Sequence, residues 1–199
     1  MAGETPTGYV PSSHENGFTL WFTGLSGAGK TTISKLIEKE LRGRRNRLEI
    51  LDGDVIRENL SKGLGFSKED RDTNIRRIAF VADLLSRNGV PVITAAISPY
   101  RETRREARAL MGKRFIEVYV KASVETCAAR DPKGLYEKAF AGEIKEFTGV
   151  SDPYEVPEHA EIVVDTEVQE PEESAAQIIA YLEERRLIPS EPELATVSA

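Results

Sequence analysis

Residues 18–31, FTLWFTGLSGAGKT, join a short apolar run to the pattern G-x-x-x-x-G-K-[ST]. The apolar run predicts a buried strand, and residues 31–44 (TTISKLIEKELRGR) carry apolar side chains at helical spacing. A glycine-rich loop between a strand and a helix turns its N–H groups inward as an anion nest, and the helix N-terminus adds positive potential. The stretch therefore predicts a nucleoside triphosphate site, in which Lys30 reaches the β- and γ-phosphates and the Thr31 hydroxyl ligates Mg²⁺.

The rest of the chain alternates strand and helix patterns. Short apolar strands are predicted at 47–54, 90–97, 114–122 and 160–166, and helices at 68–88, 100–111, 123–130 and 171–187. Alternation of this kind predicts an α/β fold, a P-loop NTPase three-layer sandwich whose five-stranded parallel sheet has helices on both faces. Functional loops are then expected beyond the carboxyl ends of the strands.

Length and composition limit the number of domains and the classes of protein to which the chain can belong. With 199 residues and 40% hydrophobic content, the chain suits one domain, predicted at 17–188 between flexible tails at 1–16 and 189–199. No apolar run approaches the ~20 residues of a membrane span, and no secretory signal is visible. A net charge of −6 argues against nucleic acid as a partner. The single cysteine, Cys127, excludes an internal disulfide and is compatible with a cytoplasmic protein.

Two aspartates follow the second predicted strand in LDGD, 51–54. The N-K-x-D motif by which GTPases recognise guanine is absent. The strand at 90–97 ends in small neutral residues, where a conventional Walker B motif would have a metal-binding aspartate. Asp52 and Asp54 are therefore predicted to face Mg²⁺ and the hydroxyl that attacks the γ-phosphate. The alternative is that they cap the helix at VIRENL, with Asp54 as the preferred cap.

Cationic residues follow these acids. Arg57 lies near the LDGD loop, and Arg71, Asn74 and Arg77 are spaced to share one helix face, which suits a second anionic ligand or solvated charges. Phe66 is either a core residue or a platform for stacking a base. The segment 131–158 has no clear period and is predicted to be a lid, with a mobile surface loop as the alternative.

GLSGAGKT, LDGDVIR, GFSKEDRDTNIRR, AISPYRETR, RDPKGLY and EFTGVSDPYE occur in the order seen in adenylylsulfate kinases. The chain resembles that family from about Gly17 to Leu187. The resemblance implies transfer of the ATP γ-phosphate to the 3′-hydroxyl of adenosine 5′-phosphosulfate (APS), which yields 3′-phosphoadenosine 5′-phosphosulfate (PAPS) in sulfate assimilation. It also implies Mg²⁺ with ATP, a homodimer, and association with ATP sulfurylase.

Matching the motifs gives each expected residue a role. Lys30, Asp52, the lid residue Lys133 and Ser98 are implied to be catalytic, with Thr31 and Asp52 on the metal. The implied ATP-binding residues are Gly24, Leu25, Ser26, Gly27, Ala28, Gly29, Lys30, Thr31, Thr32 and Arg130. The implied APS-binding residues are Asp54, Arg57, Phe66, Arg71, Asn74, Ile97, Ser98, Lys133, Gly134, Leu135 and Phe147, with Phe66 and Phe147 on either side of the acceptor adenine.

Several alternatives stay open. Ser98 is the position of a phosphoserine described for the family, yet Ser98-Pro99 also predicts an N-cap with proline at the first helical position. Arg130 flanks the ATP adenine or pairs with Asp131. Phe140 stands where the family commonly has arginine. If that arginine helps the lid to bind phosphates, lid closure in this chain is weaker or is supported by other residues. Competing functions are another small-molecule P-loop kinase and a non-catalytic nucleotide-binding regulatory domain.

Overall fold

The structure is a computed structural model that describes residues 17–44 and 47–190. The tail predicted at 1–16 lies outside the described residues, as do 191–199 of the C-terminal tail. Pro189 was predicted to begin that tail, but it is buried and its carbonyl accepts a hydrogen bond from Arg44 at 2.8 Å. Pro189 therefore packs against the domain rather than belonging to a flexible tail.

Five strands form one sheet in the order β2-β3-β1-β4-β5, and every neighbouring pair is parallel, as predicted. The strands are β1 (Thr19–Thr23), β2 (Glu49–Asp52), β3 (Val92–Ala95), β4 (Phe115–Lys121) and β5 (Ile162–Asp165). Thr19 pairs with Val92 on one side and with Phe115 on the other. The loops that follow these strands therefore meet at one edge of the sheet.

Seven α-helices are assigned in the described ranges, together with one 3-10 turn at Gly112–Arg114. The α-helices are α1 (Lys30–Gly43), α2 (Gly53–Asn59), α3 (Lys68–Ser86), α4 (Arg101–Met111), α5 (Val124–Arg130), α6 (Leu135–Phe140) and α7 (Pro171–Glu184). No helix in these ranges is long and apolar enough to cross a membrane.

The helices cover both faces of the sheet because successive side chains of each strand point to opposite faces. In β1, Leu20 and Phe22 pack in a core cluster that includes buried residues of α1 and α7. Trp21 points the other way into a cluster with buried residues of α3 and α4. The predicted three-layer α/β sandwich is confirmed.

Local details differ from the sequence prediction. The stretch 131–158 contains α6, whose six residues are too few to show a period. Ser98 is not an N-cap, because α4 begins at Arg101 after Tyr100. Helix α2 begins at Gly53, so Asp52, rather than Asp54, directly precedes it.

Candidate active site

The glycine-rich loop, residues 24–31, connects β1 to α1 at the carboxyl edge of the sheet. Gly24 and Gly29 have φ angles of 147° and 105°, which L side chains rarely adopt. A Cβ on Gly24 would also lie 2.4 Å from the Val120 carbonyl oxygen. The loop conformation therefore requires glycine, and it places backbone N–H groups around the start of α1.

Lys30 is buried and lies across this loop. Its Nζ donates to the carbonyl oxygens of Gly24 at 2.8 Å and Leu25 at 2.6 Å. Burial lowers the pKa of Lys30 to about 8, and the nearby charge of Lys133 adds to the effect. The next side chains, Thr31 and Thr32, are exposed at the first turn of α1. The ammonium is thus positioned inside the loop, and both threonine residues are exposed to solvent.

Asp52 ends β2 and pairs with Ala95 of β3, which in turn pairs with Phe22 of β1. Two strand spacings of about 4.8 Å each put this acid roughly 10 Å across the sheet edge from β1. Its side chain is half-buried. A carboxylate and the anion nest therefore lie at the same edge of the sheet.

The residues predicted for the acceptor side lie on α2, on the α2–α3 connection and on α3. Phe66 is 56% exposed, which excludes the core interpretation of this residue. The Arg57 guanidinium lies 4.5 Å from the centre of the Phe66 ring and donates to the Gly65 carbonyl at 3.2 Å. An exposed aromatic ring beside a guanidinium can stack a base and contact an anion.

Arg71, Asn74 and Arg77 were predicted to share one helix face, but the structure gives them different environments. Arg71 and Asn74 are buried, whereas Arg77 is exposed and donates to the Leu60 carbonyl at 2.9 Å. The Oδ1 of Asn74 is buried and has no hydrogen-bond partner among the described residues. A buried acceptor without a partner is costly, so its place beside Arg71 marks a polar position that a ligand donor can satisfy.

Arg71 is bound mainly to the predicted lid. Its guanidinium donates to the Phe66 carbonyl at 2.7 Å, the Thr148 hydroxyl at 2.5 Å and the Glu146 carbonyl. Asp152 lies 3.6 Å away as an ion pair. These contacts attach the lid segment to α3.

Ser98 is 1% exposed and has a φ of 47°, which is uncommon for a residue with a side chain. Its hydroxyl accepts from Trp21 Nε1 at 3.4 Å, and its carbonyl accepts from Arg104 at 2.6 Å. The half-buried Ile97 precedes it, and the Ile97 carbonyl accepts from the Thr23 hydroxyl at 2.7 Å. The strained 97–98 peptide is therefore held from inside the protein.

The lid segment, residues 131–158, returns to the glycine-rich loop. Lys133 is exposed at the turn before α6, and its charge acts on Lys30. Gly134 precedes α6 with a φ of 62°, and Leu135 opens that helix. The Asp131 carboxylate accepts from the amides of Leu135, Tyr136 and Glu137, which places it at the start of α6.

Aromatic residues line the inner side of this segment. The Phe147 ring meets Tyr136 edge-on with 4.9 Å between ring centres, and the Tyr136 hydroxyl donates to the Ser26 carbonyl at 3.0 Å. Phe140 is 62% exposed. Phe140 thus offers no cation at the position where the family that this chain resembles commonly has arginine.

Arg130 lies at the outer side of the glycine-rich loop. Its guanidinium donates to the Thr166 carbonyl at 2.5 Å and the Thr166 hydroxyl at 3.0 Å, with the Gly27 carbonyl at 3.4 Å. The Thr166 hydroxyl also lies 2.9 Å from the Ala28 carbonyl. Arg130 is therefore placed by the β5–α7 connection.

Sequence reasoning missed Tyr136, Thr148 and Thr166 as contacts of the site. Each bonds to a residue far away in the chain, so no local spacing pointed to it. The quoted motifs RDPKGLY and EFTGVSDPYE contain the first two, but motif membership alone assigns no contact.

Strand order, the nest after the central strand and the buried lysine define a P-loop protein that binds a nucleoside triphosphate. A sequence model described as adenylylsulphate kinase matches residues 16–165. The chain belongs to the adenylylsulphate kinase family.

Comparisons with individual relatives agree with this family assignment. The adenylyl-sulfate kinase of Rippkaea orientalis is 59% identical over 170 residues, which cover 85% of this chain and 93% of that protein. The probable bifunctional SAT/APS kinase 2 of Sorangium cellulosum is 58% identical over 87% of this chain, which spans only 30% of that longer protein. The structure of the Mycobacterium tuberculosis APS kinase in complex with AMPPNP and APS has a TM-score of 0.80 at 42% identity, covering 84% of this chain and 98% of that one.

Proposed function

We infer that this chain is an adenylylsulfate kinase, which transfers the γ-phosphate of ATP to the 3′-hydroxyl of APS and yields PAPS for sulfate assimilation. The observation that carries this conclusion is 59% identity to an adenylyl-sulfate kinase across 93% of that protein's length. The geometry agrees, since a triphosphate nest and a pocket with an exposed ring and guanidinium groups lie at one sheet edge.

For the donor side we propose that residues 24–32 bind the phosphates of ATP, with Lys30 on the β- and γ-phosphates. Arg130 is proposed to flank the adenine, and its bonds to Thr166 and Gly27 beside the loop support this role. Its position favours this role over an ion pair with Asp131, whose carboxylate accepts from three amides at the start of α6.

We propose that Thr31 and Asp52 hold Mg²⁺. A hydroxyl and a carboxylate are hard oxygen donors, and Mg²⁺ takes few protein ligands when phosphates supply others. The described ranges contain no cluster of three or more His, Cys, Asp or Glu residues, which fits such a shared site better than an all-protein cage. When bound, Mg²⁺ neutralises phosphate charge during transfer.

On the acceptor side, the APS adenine is proposed to lie between Phe66 and Phe147. Arg57, Arg71 and Lys133 counter the charge of the phosphosulfate and of the transferred group. The remaining proposed contacts are Asp54, Asn74, Ile97, Ser98, Gly134 and Leu135. The buried Asn74 Oδ1 supports this pocket, because a ligand hydroxyl would supply the donor that the acceptor atom lacks.

Asp52 is proposed to orient the 3′-hydroxyl and accept its proton as the γ-phosphate is transferred in line. Ser98 is proposed to contact ligand through its backbone and to form no covalent intermediate. Ser98 is 1% exposed and its hydroxyl already accepts from Trp21, which disfavours attack on a phosphate. Closure of the lid segment over the site would exclude water and protect ATP from hydrolysis.

We also propose that residues 17–188 act as a kinase domain with tails on both sides, that the chain forms a homodimer, and that it works in the cytoplasm. Association with ATP sulfurylase is proposed because a Sorangium relative is named as bifunctional. Sedimentation of the purified chain, alone and mixed with an ATP sulfurylase, tests the two assembly proposals.

The activity is tested by ADP release that depends on APS, with the product identified by mass. We expect a product one phosphoryl group heavier than APS. Turnover only on sugars or other nucleosides would favour another P-loop kinase. Binding of ATP and APS with Mg²⁺ but without product would favour a regulatory nucleotide-binding domain.

A further inference from the structure

A turn in the lid segment, residues 146–149, contacts both halves of the active site. We refer to these residues as the lid turn. On one side it is bonded to Arg71, and on the other it packs on the glycine-rich loop. We propose that the lid turn couples the ATP and APS sites, and that Thr148 and Tyr136 are the positioning residues that transmit this coupling. This proposal rests on the function assigned above.

Thr148 orients the acceptor-side guanidinium. It is 2% exposed, and its hydroxyl accepts from Arg71 at 2.5 Å. Together with the Phe66 and Glu146 carbonyls, Thr148 engages three of the five N–H donors of Arg71. A guanidinium is planar, so bonds on several nitrogens fix the direction of the donors that remain for an anion.

The opposite side of the lid turn is packed tightly on the donor loop. Gly149 has a φ of 93°, and a Cβ there would lie 2.9 Å from Leu25 Cδ2. Its N–H donates to the Asp152 carbonyl at 2.7 Å, and the amides of Val150 and Ser151 both donate to the Phe147 carbonyl at 3.0 Å. The turn is internally bonded, so a shift at one end moves the other end.

Tyr136 provides the second connection. The residue is 1% exposed, its ring meets Phe147 edge-on, and its hydroxyl donates to the Ser26 carbonyl. The C=O and N–H of a trans peptide point in opposite directions. The bond from Tyr136 therefore fixes the direction of the Gly27 N–H, which belongs to the nest that receives phosphate.

Phosphate binding to the nest thus favours one orientation of the Ser26 peptide, and through Tyr136 it favours one position of the lid turn. In that position the lid turn orients the Arg71 guanidinium toward the APS site. Because binding linkage is reciprocal, APS must favour ATP by the same factor. We expect AMPPNP with Mg²⁺ to tighten APS binding on the order of tenfold, within the usual range for coupled sites.

Titration calorimetry measures this factor as the ratio of APS dissociation constants without and with saturating AMPPNP. In Thr148→Val, which keeps the shape and removes the hydroxyl, and in Tyr136→Phe, we expect the factor to fall to about twofold or less. Thr148→Ser keeps the hydroxyl and should retain the wild-type factor within about twofold. Tyr181→Phe, on α7 and outside the proposed path, is the matched control and should leave the factor unchanged.

A wild-type factor of one would overturn the proposal, as would wild-type coupling in both Thr148→Val and Tyr136→Phe. Loss of coupling in Thr148→Ser with wild-type coupling in Thr148→Val would mean that packing of the methyl group, not the bond to Arg71, is responsible, and would overturn the role given to Thr148. PAPS formation by the wild type is measured in parallel. Normal turnover without coupling refutes only this inference, whereas absent turnover refutes the proposed function.

Discussion

The ammonium of Lys30 gives the donor site a pH dependence that can be measured without turnover. Burial lowers the pKa of Lys30 to about 8 in the unliganded protein. A polyphosphate beside the ammonium favours the charged form and raises that pKa again. Nucleotide binding above pH 8 should therefore take up a proton at Lys30.

The size of the uptake follows from the pKa. At pH 8.5 a group with a pKa of about 8 is roughly one quarter protonated, so full protonation in the complex requires about 0.75 proton per nucleotide. At pH 7 the same group is about 90% protonated, and the uptake falls to about 0.1. Uptake at Lys30 must therefore rise with pH between 7 and 8.5.

The assay is calorimetric titration with AMPPNP and Mg²⁺ in pairs of buffers that differ in ionisation enthalpy. Lys30→Met lacks the titrating group while keeping a long apolar stem, so the wild-type minus variant difference removes protons exchanged by the nucleotide itself. Equal proton counts for wild type and variant at pH 8.5 would refute the assignment of a lowered pKa to Lys30.

Three further substitutions test other parts of the structure. Asp52→Asn should lower turnover by at least ~100-fold with nucleotide affinity largely kept, the usual scale for a positioned acid–base group; near-normal turnover in steady-state assays would exclude that role. Ser98→Ala should keep turnover within about tenfold, because a direct transfer needs no phosphoserine; loss to background would argue for the covalent route. Ile37→Ala empties a fully buried position and should lower the free energy of unfolding by about 2–5 kcal/mol in urea titration; an unchanged midpoint would contradict the packing.

Much of the fold was predictable because its signals are local. The spacing of Ile33, Ile37 and Leu41 follows the helix repeat, and all three side chains are buried as that repeat requires. The nest was predictable for the same reason, since G-x-x-x-x-G-K-[ST] puts the required glycines and lysine within one short loop. The residues proposed to bind the acceptor were predicted from ordered motifs that resemble a known family.

Charged side chains were harder to place, because their environment depends on distant elements. The run at 42–47 predicts a solvated helix end, but Arg44 is buried and paired with Glu183 of α7 at 2.5 Å. Arg71 and Arg77 lie on one helix at related spacing, yet only Arg71 is buried beneath the lid segment. Helix periodicity predicts the direction in which a side chain points. Whether the charged group is then solvent-exposed depends on which distant element packs against that face of the helix.

By itself, the sequence determined the parallel α/β sandwich, the phosphate nest and the family, because each depends on residues close together in the chain or on motifs in a fixed order. Only the tertiary structure decided that Tyr136 bonds to the glycine-rich loop, that Thr148 orients Arg71, and that the Ser98 hydroxyl faces inward to Trp21. Those contacts join residues 77 or more positions apart in the chain, and no local pattern specifies which distant donor and acceptor will meet.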